Sequence, residues 1–253
     1  MNKKIRIAHV LKSSLYSGAE NVVLTIIKEL RIRYDFLYIA TDGPIRDKLE
    51  EAQVPYALVD KFNEKNVKKV LKEYDPDIVH AHDFSASVVC ALIGGYKLIS
   101  HLHYDPPWAQ KWNAKTLVYT ILSKRISKIL AVSFGSYQNL VFSDLLKQKV
   151  EILENPIDKE RILSLGGTEK EKEYDLIFVG RLTEQKNPQM FIDIVYELKK
   201  LKKNIHCVMV GGGELETVCK QVISEYGLQK NIELLGFQQN PYKYMCKSKI
   251  LCM

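Results

Sequence analysis

Two hydrophobic periods alternate along the chain. Residues 5–11 form a short apolar run with β-branched members, which reads as a strand. Residues 18–32 then carry Val22, Val23, Ile26, Ile27 and Leu30 at helical spacing. The alternation continues with strand patterns at 34–40, 56–59, 77–81, 96–102, 128–132 and 149–153, and helical stripes at 45–52, 65–74, 85–93 and about 107–126. Strands alternating with helices predict parallel strands joined by crossover helices, a sheet covered on both faces. Residues 159–173 break the pattern with Gly166–Gly167 and the charged run TEKEKE, and read as a linker. The alternation then restarts: strand 175–179, helix 188–201, strand 206–210, helix 215–226, strand 232–234, a short helix at 242–247 and an apolar run at 249–253. The expectation is an α/β protein of two parallel-sheet domains, 1–158 and 174–253, the second incomplete.

Length and composition agree: 253 residues suit one or two domains, and 46% hydrophobic with 26% charged residues excludes a disordered, collagenous or coiled-coil chain. No apolar stretch approaches the ~18 residues of a spanning helix. The start, MNKKIRIAHV, has a basic flank but no apolar signal-peptide region, and reads as a first strand. The five cysteines are odd in number, scattered and without a C-x-x-C pair. A disulfide framework or zinc ribbon is not expected, and a cytoplasmic setting is.

The net charge of +7 is unevenly placed. From Pro106 to Ser143 no acidic residue occurs, while Lys111, Lys115, Lys124, Arg125 and Lys128 are basic. Such a segment attracts anions. Trp108 and Trp112 lie four apart, as do Lys111 and Lys115, so a basic amphipathic helix at an anionic membrane is one reading and a core-covering helix the other.

Four motifs bear chemistry. Ser17-Gly18-Ala19-Glu20 fits a capping box, and its glycine would let backbone N–H groups approach an anion. His80 and His82 end one strand, and His101 and His103 the next, with Asp83 and Asp105 close by. Residues i and i+2 share a strand face, and ligands of open α/β sheets bind beyond the carboxyl ends of strands. These groups either hold a metal or hydrogen-bond a substrate, with His80 and His101 in the core; the substrate reading is preferred. In VGRLTEQKNP, Arg181 and Lys186 flank a strand end, with Asn187 as N-cap and Pro188 as first helical residue. Two cations beside a helix N-terminus can neutralise a diphosphate, or form a solvated loop. Gly211-Gly212-Gly213 precedes a further helix and permits close backbone approach to a ligand, or simply a tight turn.

The runs FVGRLTEQKNPQMFID, VMVGGGELE and IELLGF resemble the donor-binding domain of glycosyltransferase family 4. SGAE, DIVHAHD, LISHLHYD, AVSFGS and ENPID agree in order with its N-terminal domain. The resemblance implies a GT-B fold of two Rossmann-like domains and transfer, with retention, of a sugar from a nucleoside diphosphate-sugar to a glycan or lipid-linked acceptor, in cell-surface polysaccharide synthesis. It implies that Arg181 and Lys186 grip the donor diphosphate, with Gly18 at the donor phosphates and His103 catalytic beside the transferred sugar. Gly211, Gly213, Gly236 and Phe237 would contact the nucleotide, and His82, Asp83 and Asn155 the acceptor or sugar side. No metal or other cofactor is expected, since the two cations replace one. Nucleic acid is not expected either, because no aromatic-basic platform or helix-turn-helix pattern is present. The protein is expected in the cytoplasm, peripheral at the inner face of the plasma membrane through the Pro106 to Ser143 segment. The family places two glutamates spaced E-x7-E beyond the last strand seen here, so the sequence predicts a chain inactive alone. The alternatives are a non-catalytic nucleotide-binding fragment and a metal-dependent hydrolase built on the histidines.

Overall fold

The computed structural model describes residues 4–167 and 171–253. Residues 1–3 of the first segment and 168–170 of the TEKEKE run lie outside the described residues. The chain divides into two compact units, Met1–Ile157 and Asp158–Met253.

The first unit runs β1 (Ile5–Val10), α1 (Gly18–Leu30), β2 (Tyr34–Thr41), α2 (Ile45–Glu51), β3 (Tyr56–Val59), α3 (Glu64–Tyr74) and β4 (Ile78–Ala81). It continues with α4 (Phe84–Ile93), β5 (Lys97–Leu102), α5 (Ala114–Leu122), β6 (Lys128–Ala131), α6 (Phe134–Gln138), α7 (Ser143–Leu146) and β7 (Val150–Ile152). The seven strands are parallel in the order β3-β2-β1-β4-β5-β6-β7. The order reverses between β1 and β4, the switch point at which such sheets open a crevice beyond their carboxyl ends.

Each face has its own core. Ala8, Val10, Val79, Ala81, Leu98 and Ile129 pack under Val67 and Leu71 of α3 and Ala86 and Cys90 of α4. Leu11, Phe36, Tyr38 and Ala40 pack under Val23 and Ile27 of α1 and Leu49 of α2. The helices obey their sequence. In α3 only Val67 and Leu71, one turn apart, are fully inward. Asn63 Oδ1 caps it by accepting from Asn66 N at 2.9 Å, and Asp75, with φ 51°, ends it.

The helix expected across 107–126 is broken into three. A 3-10 turn spans Pro107–Gln110, α5 begins only at Ala114, and a second 3-10 turn covers Ser123–Arg125. Asn113 causes the break. Its Oδ1 accepts from Lys115 N and Thr116 N, starting a new helix, while its Nδ2 donates to Trp108 O at 2.5 Å and Lys111 O at 2.9 Å. Trp108 and Trp112 therefore do not share a helical face. Trp108 packs edge-on to Phe84, with ring centroids 5.0 Å apart, while Trp112 is exposed.

The second unit runs α8 (Lys159–Gly166), β8 (Tyr174–Val179), α9 (Pro188–Leu201), β9 (Cys207–Val210), α10 (Glu216–Glu225), β10 (Ile232–Leu234), α11 (Tyr242–Cys246) and β11 (Ser248–Cys252). Its four parallel strands lie in the order β10-β9-β8-β11. Much of the expected linker is the helix α8, capped by Asp158 Oδ1 accepting from Arg161 N. It is fastened within this unit: Asn240 Nδ2 donates to Leu165 O at 2.8 Å, and a Cβ on Gly166 would meet Cys246 Sγ at 2.6 Å. Two glycines at 166–167 mark the end of this helix and not the middle of a tether.

Candidate functional site

In the second unit the loops after β8, β9 and β10 extend the sheet hydrogen bonding beyond the strands. Gly180 N donates to Val210 O, Leu182 N to Gly212 O, Leu215 N to Leu182 O, and Gly211 N to Gly236 O, all between 2.8 and 3.0 Å. This zipper sets the glycine pattern. A Cβ on Gly211, whose φ is 138°, would lie 1.9 Å from Gly180 O, and one on Gly213 would lie 2.4 Å from Leu182 O. Both glycines are required by the backbone of the neighbouring loop, before any ligand is considered.

Arg181 and Lys186 stand on that platform. Arg181 is exposed and its Nη2 donates to Gln185 Oε1 at 3.3 Å. The Lys186 stem crosses Gly180, whose Cβ position is 3.7 Å from Lys186 Cγ. The two cations thus belong to one loop that follows β8. Asn187, with φ 44°, turns the chain in the left-handed region that asparagine tolerates. Its Oδ1 accepts from Met190 N at 3.3 Å, and Pro188 opens the 14-residue α9. The N-terminus of α9 adds the partial positive charge of its dipole beside the two cations. Phe237 is 81% exposed after Gly236, which itself sits at φ 64°.

In the first unit the strand ends gather five imidazoles. His9 of β1 pairs in register with His80 of β4, which brings a fifth ring to the four expected. His9 is hidden in the sequence because it sits inside the apolar run IAHVL; its signal is the β1–β4 pairing, which local pattern does not carry. His82 is the hub. Its Nε2 lies 2.8 Å from His9 Nδ1, and its Nδ1 lies 3.1 Å from His103 Nε2. His80 stacks on His101 with ring centroids 5.4 Å apart, and His101 on His103 at 4.1 Å. Burial disfavours the charged form throughout. It holds His9 down to about 3, His101 to about 2 and His103 to about 4, and pushes His80 and His82 well below the ordinary histidine value. At His103 the Asn155 side chain opposes burial by favouring the charged form, so the structure brings these two predicted residues together. His103 is the least enclosed of the five.

Two predicted acceptor-side residues are placed otherwise. His82 is fully buried and meets other histidines, so it has no open surface for an acceptor. Asp83 spends both oxygens on the backbone: Oδ1 accepts from Ala86 N at 2.7 Å, capping α4, and Oδ2 accepts from Lys12 N at 2.9 Å. Asp105 Oδ2 accepts from Asn139 Nδ2 at 2.7 Å. Gly18 opens α1, and a Cβ there would meet nothing within 4 Å among the described residues. The adjacent first turn already holds a buried carboxylate, because Ser17 N and Oγ both donate to Glu20 Oε2, at 3.0 and 2.5 Å.

The profile of "Glycosyltransferase Family 4" matches residues 16–161, more than half of the chain. The chain belongs to Glycosyltransferase Family 4. The profile of "Glycosyl transferases group 1" matches residues 164–253, so both units of this family 4 chain are covered. It is 26% identical over 263 residues to the capsular polysaccharide biosynthesis glycosyltransferase CapH of Staphylococcus aureus, across 97% of this chain and 73% of that protein. It is 28% identical over 257 residues to a Campylobacter jejuni enzyme named N-acetylgalactosamine-N,N'-diacetylbacillosaminyl-diphospho-undecaprenol 4-alpha-N-acetylgalactosaminyltransferase, across 91% of this chain and 69% of that one. In fold it is similar to Anabaena Alr3699/HepE, solved in complex with UDP. The TM-score is 0.82 at 20% identity, over 98% of this chain and 73% of that one. The two parallel-sheet units are those of a GT-B glycosyltransferase. The matches to eight curated relatives span from 29% to 73% of those relatives' own lengths.

Proposed function

We propose that this family 4 chain transfers a sugar from a UDP-sugar to a glycan or lipid-linked acceptor, with retention of anomeric configuration, in the synthesis of a cell-surface polysaccharide. The observation that carries the donor half is the pair Arg181 and Lys186 on a glycine-clasped loop beside the N-terminus of α9. A departing diphosphate carries the charge that develops as the sugar–oxygen bond breaks. A guanidinium offers planar, bidentate contacts and an ammonium a point charge, and fixed cations need no reorganisation at that moment. The resemblance gives His103 the place beside the transferred sugar, and the depressed pKa supports a neutral ring able to hydrogen-bond hydroxyls at pH 7. The acceptor hydroxyl attacks from the face the diphosphate leaves, and its proton passes to the departing phosphate oxygen. UDP is proposed as the nucleotide from the Anabaena neighbour, and the acceptor class from the bacterial relatives.

The acceptor reading is joined to an anionic membrane surface in the cytoplasm. Leu117, Val118 and Ile121 lie exposed on one face of α5, with Trp112 exposed just before it. Lys111, Lys115 and Lys124 are exposed around them. Apolar residues ringed by cations suit a bilayer interface. Part of the basic charge has local work: Arg125 Nη1 donates to Ala91 O at 3.1 Å, and Lys128 pairs with Glu151 at 2.9 Å.

Calorimetric titration with UDP and with GDP tests the donor site. Each charge-assisted contact contributes ~1.5–3 kcal/mol. Replacing both Arg181 and Lys186 by alanine should therefore weaken UDP binding by roughly 10²–10⁴-fold. Equal UDP affinity in the double variant, or no UDP binding by the folded wild type, would refute the donor site.

A further inference from the structure

Three of the five imidazoles form a hydrogen-bonded row, and a row of neutral rings has a direction. His82 Nε2 lies 2.8 Å from His9 Nδ1, and His82 Nδ1 lies 3.1 Å from His103 Nε2. The other two rings brace the row from the side. His80 lies against His82 with ring centroids 4.0 Å apart, and His101 stacks on His103 at 4.1 Å. The groups that act electrostatically on His82 are histidines, with no carboxylate among them. Burial keeps each ring of the row neutral at pH 7, so each carries one N–H. Each of the two contacts needs one donor and one acceptor. The position of one proton therefore fixes all three.

Two orders are possible. If His103 donates through Nε2 to His82, then His82 donates through Nε2 to His9, and His9 must carry its proton on Nε2. His9 is 1% exposed, and its Nε2 has no hydrogen-bond partner among the described residues. The rings of Phe36, His80 and His82 lie against it. A buried N–H without an acceptor is rare in native proteins, and an unused acceptor is tolerated more often. The opposite order leaves only a lone pair at His9 Nε2. His9 Nδ1 then donates to His82 Nε2, His82 Nδ1 donates to His103 Nε2, and His103 carries its proton on Nδ1. The His103 end agrees. The Asn155 side chain hydrogen-bonds that ring in the sense that favours its protonated form, as an amide oxygen accepting from an N–H does.

We propose that His82, backed by His9, is a positioning residue that locks His103 in its Nδ1–H form, so that His103 meets the transferred sugar as a hydrogen-bond donor. This rests on the reading that places His103 beside that sugar. The lock is needed because an unconstrained histidine side chain favours the Nε2–H form. Asn155 holds the Nδ1–H until a sugar hydroxyl oxygen accepts from it.

Nuclear magnetic resonance of protein containing nitrogen-labelled histidine reports which nitrogen of each ring is protonated, and couplings across the hydrogen bonds report the partners. Expected in the wild type are Nδ1–H forms of His9, His82 and His103, with couplings joining His9 to His82 and His82 to His103. His103 protonated on Nε2 in the wild type would overturn the proposal, and that result needs no variant to fold. In calorimetry with UDP-glucose and UDP-N-acetylgalactosamine, His82→Phe should weaken binding of the preferred nucleotide-sugar by roughly 2–10-fold and leave UDP binding unchanged. His82→Asn, whose amide N–H can stand for the Nδ1–H, should restore it. A folded His82→Phe variant that keeps both its nucleotide-sugar affinity and a single Nδ1–H form of His103 would also overturn the proposal, leaving Asn155 as the group that holds the ring. His103→Ala separates the two readings. Unchanged nucleotide-sugar affinity in that variant would refute the place of His103 beside the sugar, and with it the role of His82, while the proton order stood.

Discussion

Asp83 offers a sharp division between a residue that builds the site and one that touches substrate. Its two oxygens accept from Ala86 N at 2.7 Å and Lys12 N at 2.9 Å. The first bond caps α4, and the second fastens the loop after β1 to the end of β4, across the switch point of the sheet. Removing an N-cap carboxylate costs ~0.5–2 kcal/mol. Losing a charge-assisted bond to a backbone amide costs ~1.5–3 kcal/mol. Asp83→Ala should therefore destabilise the first unit by about 2–4 kcal/mol, within the range of these two contributions. Asp83→Asn keeps an amide oxygen for one contact and turns an NH₂ toward the other, so about half the loss is expected. The chain holds 2 tryptophans, Trp108 and Trp112, both in the first unit, so their fluorescence reads that unit alone. Trp108 packs on Phe84, the residue next to Asp83. With a urea slope of about 2 kcal/mol per molar, the midpoint of Asp83→Ala should fall by roughly 1–2 M. UDP affinity under native conditions should be unchanged. A midpoint within about 0.25 M of wild type (~0.5 kcal/mol at that slope) would refute the reasoning, since a contact this well paired cannot be lost without effect.

Further outcomes follow from the same geometry. Gly213→Ala puts a Cβ 2.4 Å from Leu182 O and should part the two loops, lowering second-unit stability by ~1–3 kcal/mol and abolishing UDP binding. Gly18→Ala, with open space around the Cβ, should leave circular-dichroism melting unchanged. Stability of the first unit should fall as pH drops from 6.5 toward 4. The folded histidines, with His9 near 3, His101 near 2 and His103 near 4, bind protons less readily than the unfolded chain. Their contribution is complete above pH 6.5, and each costs ~1.4 kcal/mol per pH unit below it. A flat urea midpoint between pH 7 and 5 would contradict this. Vesicles rich in anionic lipid should sediment the protein at low salt and release it at high salt. Leu117→Asp/Ile121→Asp should weaken that binding without altering UDP affinity; zwitterionic vesicles binding equally well would count against the cationic rim.

What the sequence discloses is what short-range periodicity encodes. The strand and helix runs, the Asn187–Pro188 start of α9 and the strand-end position of Arg181 all follow from residues within a turn or two of each other. What it conceals depends on contacts between distant segments. Asn113 breaks the helix expected across 107–126 by bonding back to Trp108 and Lys111, a choice that apolar spacing does not register. The glycines at 211 and 213 look like a ligand cradle until the loop after β8 is laid against them. Asp83 looks like a functional carboxylate until both of its oxygens are found on backbone amides, one of them 71 residues away. His9 is the plainest case. Nothing in IAHVL separates its histidine from a chance polar residue in a core strand. Only the pairing of β1 with β4, which places His9 beside His80 and within reach of His82, makes it the outer partner of a buried cluster. A strand order that reverses at β1 brings together residues some 70 positions apart at the one edge where α/β sheets bind their ligands. Site chemistry in this fold is therefore a property of register as much as of motif.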